Sequence, residues 1–267
     1  MMRVGRSRWL RVATALVLLV IAAVIFRATR QAEDRVWNRI QRTGVWRVGM
    51  DPSFPPFESL DQDGRPLGYD VDLARAIAAG WGVEVTFEGI GFDGLLASLW
   101  ADRADSVLSA LPYDPRMTQD VAYSVPYFEA GLLLVVAGDA VDIASTDDLE
   151  GRALAVEWGS EGDVQGRGLR RRFPSIVLWP LPVPQDVLAA VETGEADAAL
   201  VDAISLLQFQ DGSADVRSVG LPVVSMPYVI AMPRESPVLL KAVNEAILSM
   251  QQDGTLEHLE AEWLRGG

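Results

Sequence analysis

The sequence predicts an α/β fold of two lobes, each a mainly parallel sheet flanked by helices, preceded by an N-terminal hydrophobic helix. Three observations carry this expectation. Strand-like and helix-like periodicities alternate in β-α-β order, they do so twice, and two apolar extended stretches join the two runs. With 267 residues, 49% of them hydrophobic, the chain has enough apolar surface for such cores.

The elements follow in order. Val12 to Phe26 is apolar except for Thr14, with Arg3, Arg6, Arg8 and Arg11 before it. This reads as a signal peptide or an uncleaved signal anchor over residues 1–30, and the poor cleavage site at Phe26-Arg27-Ala28-Thr29-Arg30 favours a retained anchor. The run is 15 residues, short of the about 20 that span a bilayer. Its basic flank would hold the N-terminus in the cytoplasm and the remainder outside. Residues 31–43, with Val36, Trp37 and Ile40 at helical spacing, predict a juxtamembrane helix.

Val45–Met50 predicts a strand, and Asp70 an N-cap for a helix with Leu73, Ile77 and Trp81 on one stripe that ends near Gly80. Val83, Val85 and Phe87 alternate as a strand. Phe92, Leu95, Leu96, Leu99 and Trp100 have helical spacing, and Ser106–Leu111 reads as a further strand. The pattern then recurs: strand Ala153–Trp158, helix Gly162–Arg172, strand Ile176–Leu181, helix Gln185–Thr193, strand Ala196–Val201. The repetition is in topology, not in sequence. Gly131–Ala137 and Val219–Met232 are the two extended stretches, which predicts a chain that leaves one lobe, builds the other and returns. Helices over Val238–Met250 and from Thr255, taken as a cap, to Trp263 close it. The expected boundaries are 44–130 for the first part of lobe one, 131–222 for the crossover and lobe two, and 223–267 for the return.

Charge narrows the function. Residues 1–30 hold six arginines and no acid; removing those six from the 23 bases leaves 17 against 37 acids. A part that acidic would repel nucleic acid phosphates. The absence of cysteine excludes disulfides and thiolate chemistry. The single histidine, His258, falls on the C-terminal helix and suits a surface position. The Gly159–Gly168 stretch is glycine-rich but lacks the P-loop lysine.

In open sheets, ligands sit beyond the carboxyl ends of parallel strands. Here those positions are Asp51–Phe57, Gly91–Phe92 and Ala110–Pro112 in the first run, and Glu157–Ser160, Val183–Pro184 and Asp202 in the second. If the lobes face each other, these loops line one cleft.

At these positions the sequence resembles the bacterial extracellular solute-binding proteins of the amino-acid type, family 3. The stretches are WRVGMDPSFPPFE, PLGYDVDLARAIA, FDGLLASL, ADSVLSALPYDPR, VAYSVPYFEAG, LEGRALAVEWGSEG, VETGEADAALVD and QQDGTLEHLEAEW, in the family's order from Val45 to Trp263. The resemblance implies a type II periplasmic-binding-protein fold, a monomer without cofactor or metal, that closes on an amino acid or related solute. It implies delivery to an ABC importer permease, in the periplasm or on the outer face of the cytoplasmic membrane. A membrane-anchored sensor subunit, or a dehydratase of prephenate or arogenate type on the same fold, is the alternative.

By resemblance, Asp51 contacts the solute, against a turn-residue reading. Phe54 and Phe92 form aromatic walls, with Phe57 as wall or core, and Ser109, Ala110 and Pro112 lie in the gripping segment. Ser160 offers a hydroxyl at a helix start, and Asp202 holds an ammonium, against an N-cap reading. The family's carboxylate-clamping arginine falls on Met117, with Arg116 one residue early. Glu157 and Glu161 stand where relatives carry neutral residues, and Trp158 adds an aromatic face. With Asp51 and Asp202 they suggest a cationic solute, unless Glu157 and Glu161 point to solvent.

Overall fold

The computed structural model describes residues 34–210 and 215–264. The hydrophobic helix expected over residues 1–30 lies outside them. Among the described residues no helix is long and apolar enough to cross a membrane.

Helix α1 (Arg35–Thr43) is capped by the Asp34 carboxylate and ends at Gly44, whose φ of 69° supplies the left-handed turn. Val36 and Ile40 are buried, and Trp37 meets Trp81 edge-on at 5.1 Å. The stretch is thus packed into the fold. β1 (Val45–Met50) follows and pairs parallel with β4 (Glu84–Gly89) and β5 (Ser106–Val107). Between β1 and β4 lie a short hairpin, β2 (Ser59–Leu60) with β3 (Pro66–Leu67), and α2 (Tyr69–Trp81). A 3-10 turn at Phe92–Gly94 runs into α3 (Leu95–Trp100) and leads to β5.

The first sheet is completed by β6 (Val121–Tyr123) and β14 (Ala231–Pro233), giving the order β4-β1-β5-β14-β6. The second contains β8 (Leu132–Ala137), β9 (Ala153–Glu157), β10 (Val177–Leu181), β11 (Ala198–Asp202) and β12 (Val216–Val224), in the order β10-β9-β11-β8-β12. Three successive parallel strands hold corresponding places in each sheet. The repetition expected from the alternating periodicity is therefore real in space.

Helix α4 (Glu161–Arg172) joins β9 to β10, α5 (Pro184–Glu192) joins β10 to β11, and α6 (Ala203–Phe209) follows β11. Leu154, Val156 and Leu200 face one core of the second sheet, and Ala155, Ala199, Val187, Leu188 and Val191 the other. Alternation along buried strands puts successive side chains on opposite faces. Helices α7 (Pro237–Asp253) and α8 (Thr255–Trp263) pack with α1 and α2 on the core of the first sheet, through Leu239, Val243, Ile247, Leu256 and Leu259. Two crossings connect the sheets. One runs from β7 (Phe128–Glu129) into β8; the other runs from β12 into β13 (Pro227–Tyr228), which pairs antiparallel with β7.

Several expectations need correction. The sheets are mixed, not mainly parallel: β14 runs antiparallel to β5 and β6, and β8 antiparallel to β11 and β12. The crossings enter each sheet from the end opposite to the β-α-β strands. Val219–Met232 is not one extended run; it breaks into β12, β13 and β14. The strand expected over Ser106–Leu111 stops at Val107, because Ala110 adopts φ 40° and its N–H turns to Asp70. Asp70 does not cap α2 and is buried inside its first turn. Gly68 stands at the cap instead, at φ 131°, where a Cβ would lie 2.2 Å from the Phe57 carbonyl oxygen. The helix ends at Gly82, at φ 70°, and not at Gly80. Thr255 is the first residue of α8 and makes no capping bond; Gly254 precedes it.

Candidate functional site

The carboxyl ends of β1 and β5 form one wall. Asp51 directly follows β1. Its Oδ1 accepts from Ser53 Oγ at 2.7 Å and its Oδ2 from the Phe92 N–H at 2.8 Å. The carboxylate thus fixes two loops while bordering a cavity of ≈ 300 Å³. Phe54 and Phe92 line that cavity with half-exposed rings. Phe57 does not line it; it is fully buried, stacked at 5.8 Å on Phe54 and edge-on to Phe128 and Tyr228. Its core reading is the right one.

Ser109, Ala110 and Pro112 also border the cavity, but their polar groups are engaged. Ser109 Oγ accepts from the Asp51 N–H at 2.9 Å and donates to Glu58 Oε1 at 2.7 Å. The Ala110 N–H donates to Asp70 Oδ2 at 2.6 Å, and Tyr127 donates its hydroxyl to the same oxygen at 3.0 Å. Pro112 has no N–H and forms a β-bridge with Tyr228.

Glu58 lines the cavity and is 1% exposed; Asp70 lies directly behind it, also 1% exposed. No N–H or hydroxyl reaches Glu58 Oε2 or Asp70 Oδ1. The two carboxyls hydrogen-bond to one another, and burial, with the Glu58–Asp70 repulsion added, raises the Glu58 carboxyl far above the usual carboxylate range. Burial raises Asp70 as well, against the bonds from Ala110 and Tyr127. The pair therefore retains one proton between its oxygens at neutral pH.

The carboxyl ends of β9 and β11 form a second wall, around a depression of ≈ 90 Å³ lined by Glu157, Ser160, Glu161, Pro184 and Asp202, among others. Ser160 caps α4: its Oγ accepts from the Asp163 N–H at 3.3 Å and donates to the Glu157 carbonyl at 2.8 Å. Glu161 Oε1 accepts from Gln165 Nε2 at 2.7 Å. Asp202 caps α6, taking the Ser205 N–H at 2.9 Å and the Ser205 hydroxyl at 2.6 Å, while its carboxylate borders the depression. The N-cap reading of Asp202 therefore holds, and the residue also borders the depression. Trp158 does not line the depression and is 73% exposed. Arg116 does not line the first cavity. Its guanidinium is 87% exposed and meets Asp114 through Nε at 2.9 Å and Nη2 at 2.7 Å, which pulls the Asp114 carboxyl down to about 2.

Residues 46–266 match the family model for bacterial extracellular solute-binding proteins, family 3. The chain belongs to this family. This solute-binding protein is 30% identical over 234 residues to the L-cystine-binding protein TcyJ of Escherichia coli (strain K12), a match covering 87% of each chain. Among solved structures it is similar to an ancestral cationic amino acid solute binding protein, at 28% identity, with TM-score 0.58, covering 85% of this chain and 98% of that one. It is also similar to an ancestral cyclohexadienyl dehydratase, at 26% identity, with TM-score 0.71, covering 86% and 96%.

Of the family-implied positions, the solute-binding protein brings Asp51, Phe54, Phe92, Ser109, Ala110 and Pro112 to one wall, and Glu157, Ser160, Glu161 and Asp202 to the other. Trp158 and Arg116 stand apart from both linings. Glu58 and Tyr228 line the cavity without having been singled out from the sequence. Glu58 carried a signal: it is a lone acid at the end of the apolar run Phe54–Phe57. Tyr228 carried none, because it reaches the cavity through the return crossing. Asp70 is buried in the first turn of α2 and not at its cap, and an acid at a helix start fits both patterns in sequence.

Proposed function

We propose that the protein captures an amino acid or amine between the two walls by hinge closure and delivers it to an ABC importer permease outside the cytoplasmic membrane. The supporting observation is the arrangement of the walls. Each sits at the carboxyl ends of parallel strands in its own sheet, the sheets are joined by two crossings, and each wall carries ligand-type side chains. Lobe one comprises α1 with residues 44–130 and the return from Ser225 onward, and lobe two runs from 131 through the end of β12 at Val224. Asp51, Phe54, Phe92, Ser109, Glu157, Ser160, Glu161 and Asp202 contact the solute. The ligands for which these relatives are named, cystine and cationic amino acids, fit this class.

The apolar run Val12–Phe26 exports the chain and anchors it, and the protein acts as a monomer. It binds without turnover. The dehydratase neighbour shares the fold, but the residues lining the two walls include no arginine, lysine or histidine to hold a dicarboxylate substrate.

A thermal-shift panel of amino acids and amines on the full-length chain tests the proposal. A ligand at 100 times its Kd adds about 2.7 kcal/mol of stability, enough to move the melting temperature by several degrees. No shift with any compound, or turnover of prephenate or arogenate, would overturn it.

A further inference from the structure

We propose that the solute is an organic cation without a carboxylate, an amine or quaternary ammonium, in preference to the parent α-amino acid. The inference rests on the solute-binding reading and narrows it.

An α-carboxylate must be met by donors, best by a bidentate arginine. On the first wall the donors are spent on the protein's own acids. The Ser109 hydroxyl goes to Glu58, the Ala110 N–H to Asp70, the Asp51 N–H to Ser109 and the Phe92 N–H to Asp51. Pro112 has no N–H to offer. Arg116 is held by Asp114 and exposed, and no lysine or arginine lines either wall. On the second wall the Ser160 hydroxyl goes to the Glu157 carbonyl. The start of α4 would attract an anion, but Glu161, the first residue of the helix, borders the depression and opposes one there.

For a cation the same walls are well supplied. Asp51, Glu157, Glu161 and Asp202 border them, and among the described residues none of the four is paired with an arginine or lysine. The contrast with acids elsewhere is direct. Asp105 is paired with Arg39 and Arg47, Asp163 with Arg167, and Asp142 and Asp197 with Arg152. Bringing four carboxylates without a cationic partner into one closed volume is unfavourable unless a positive charge enters with them.

A second observation points the same way. Glu58 is 1% exposed and lines the cavity, and apart from the carboxyl of Asp70 its Oε2 has no partner. Its buried carboxyl shares a proton with Asp70 and takes the Ser109 hydroxyl, which removes that donor from a carboxylate ligand. Phe54 and Phe92 present half-exposed ring faces beside it, which suit an alkylammonium or guanidinium.

Matched pairs test this by calorimetry on the full-length chain: agmatine against arginine, putrescine against ornithine, histamine against histidine, choline against glycine betaine. Neutral and acidic amino acids complete the panel. The carboxylate-free member of at least one pair should bind tenfold or more tighter than its partner, which is about 1.4 kcal/mol. Its affinity should fall as salt is raised and fall at least tenfold in Glu157→Gln combined with Glu161→Gln. Equal or tighter binding of the parent amino acid, or binding of a neutral or acidic amino acid alone, overturns the inference and leaves the solute-binding reading standing. No binding by any compound overturns both.

Discussion

Asp202 has two jobs that a substitution series can separate. Its carboxylate caps α6 through the Ser205 N–H and hydroxyl, and it borders the second wall. Asparagine caps a helix about as well as aspartate, whereas alanine costs ~1 kcal/mol. Asp202→Asn should therefore leave stability within about 0.5 kcal/mol, yet lower affinity for a cationic ligand by about tenfold through the lost charge. Asp202→Ala should lose both, read by urea unfolding and calorimetry on the same samples. The Glu58–Asp70 pair makes a separate prediction about pH. Both carboxyls are raised by burial, so above pH ~4, where unfolded carboxylates ionise, the folded protein holds more protons than the unfolded chain. Stability should then fall as pH rises through the window up to Asp70, at about 7, and on towards Glu58, at about 10. One retained proton gives a slope of up to roughly 1.4 kcal/mol per pH unit. Glu58→Gln keeps the acceptor for Ser109 and supplies a fixed donor to Asp70, so its melting temperature should decline less between pH 5 and pH 8 in differential scanning calorimetry. A parallel decline in both proteins would refute the shared proton. These residues also mark the limit of local reading. Asp51, Phe54, Phe92 and Asp202 were legible because they follow strands whose ends could be placed. Glu58–Asp70 was not, because a carboxyl pair across 12 positions leaves no periodic trace.

At the scale of elements, periodicity served well where a stripe faces a core. β1, α4, α5 and α7 lie within a few residues of their expected bounds; α5 and α7 keep one apolar period throughout, whereas α4 has few apolar positions and is set by its Ser160 cap. It failed at Ser106–Leu111, where an apolar run continues past the point at which Ala110 turns left-handed, and at Val219–Met232, which divides into three strands as the chain leaves the second sheet after Val224 and crosses to the first. The caps of α2 and α8 were also missed, since acids and threonines near helix starts outnumber those that cap. Asp34 shows what a cap contributes when it serves two helices. Its Oδ1 takes the Trp37 N–H at 3.0 Å, and its Oδ2 takes the Val238 and Leu239 N–H groups at 2.8 and 3.1 Å. It is fully buried, so removing it strands N–H groups at the starts of both α1 and α7. Asp34→Ala should cost about 2–4 kcal/mol in urea unfolding, more than an ordinary exposed cap, and Asp34→Asn clearly less. A loss under about 1 kcal/mol would show that water replaces the carboxylate there.

At the scale of the molecule, closure depends on the two crossings, and Glu129 ties them together where they pass. Its Oε1 accepts from the Gly131 N–H at 3.0 Å and the Met226 N–H at 2.6 Å, and its Oε2 from Ser225 Oγ at 2.7 Å. The backbones approach so closely that a Cβ on Gly131 would lie 2.1 Å from the Val224 carbonyl oxygen. One carboxylate thus holds the outgoing and returning strands in register between the sheets. Without it the relative orientation of the lobes is less well determined in the free protein, and that freedom must be lost on binding. Glu129→Ala should reduce stability by about 1–3 kcal/mol. Its Kd, measured well below the melting temperature where the variant is fully folded, should rise severalfold, because folding stability as such does not enter a Kd measured on folded protein. X-ray scattering provides the geometric counterpart: the free variant should be broader in its distance distribution than the free parent, and the two should converge when ligand saturates both. If Kd and the free-state scattering are unchanged while stability drops, Glu129 is a structural brace and the hinge axis lies elsewhere in the crossings.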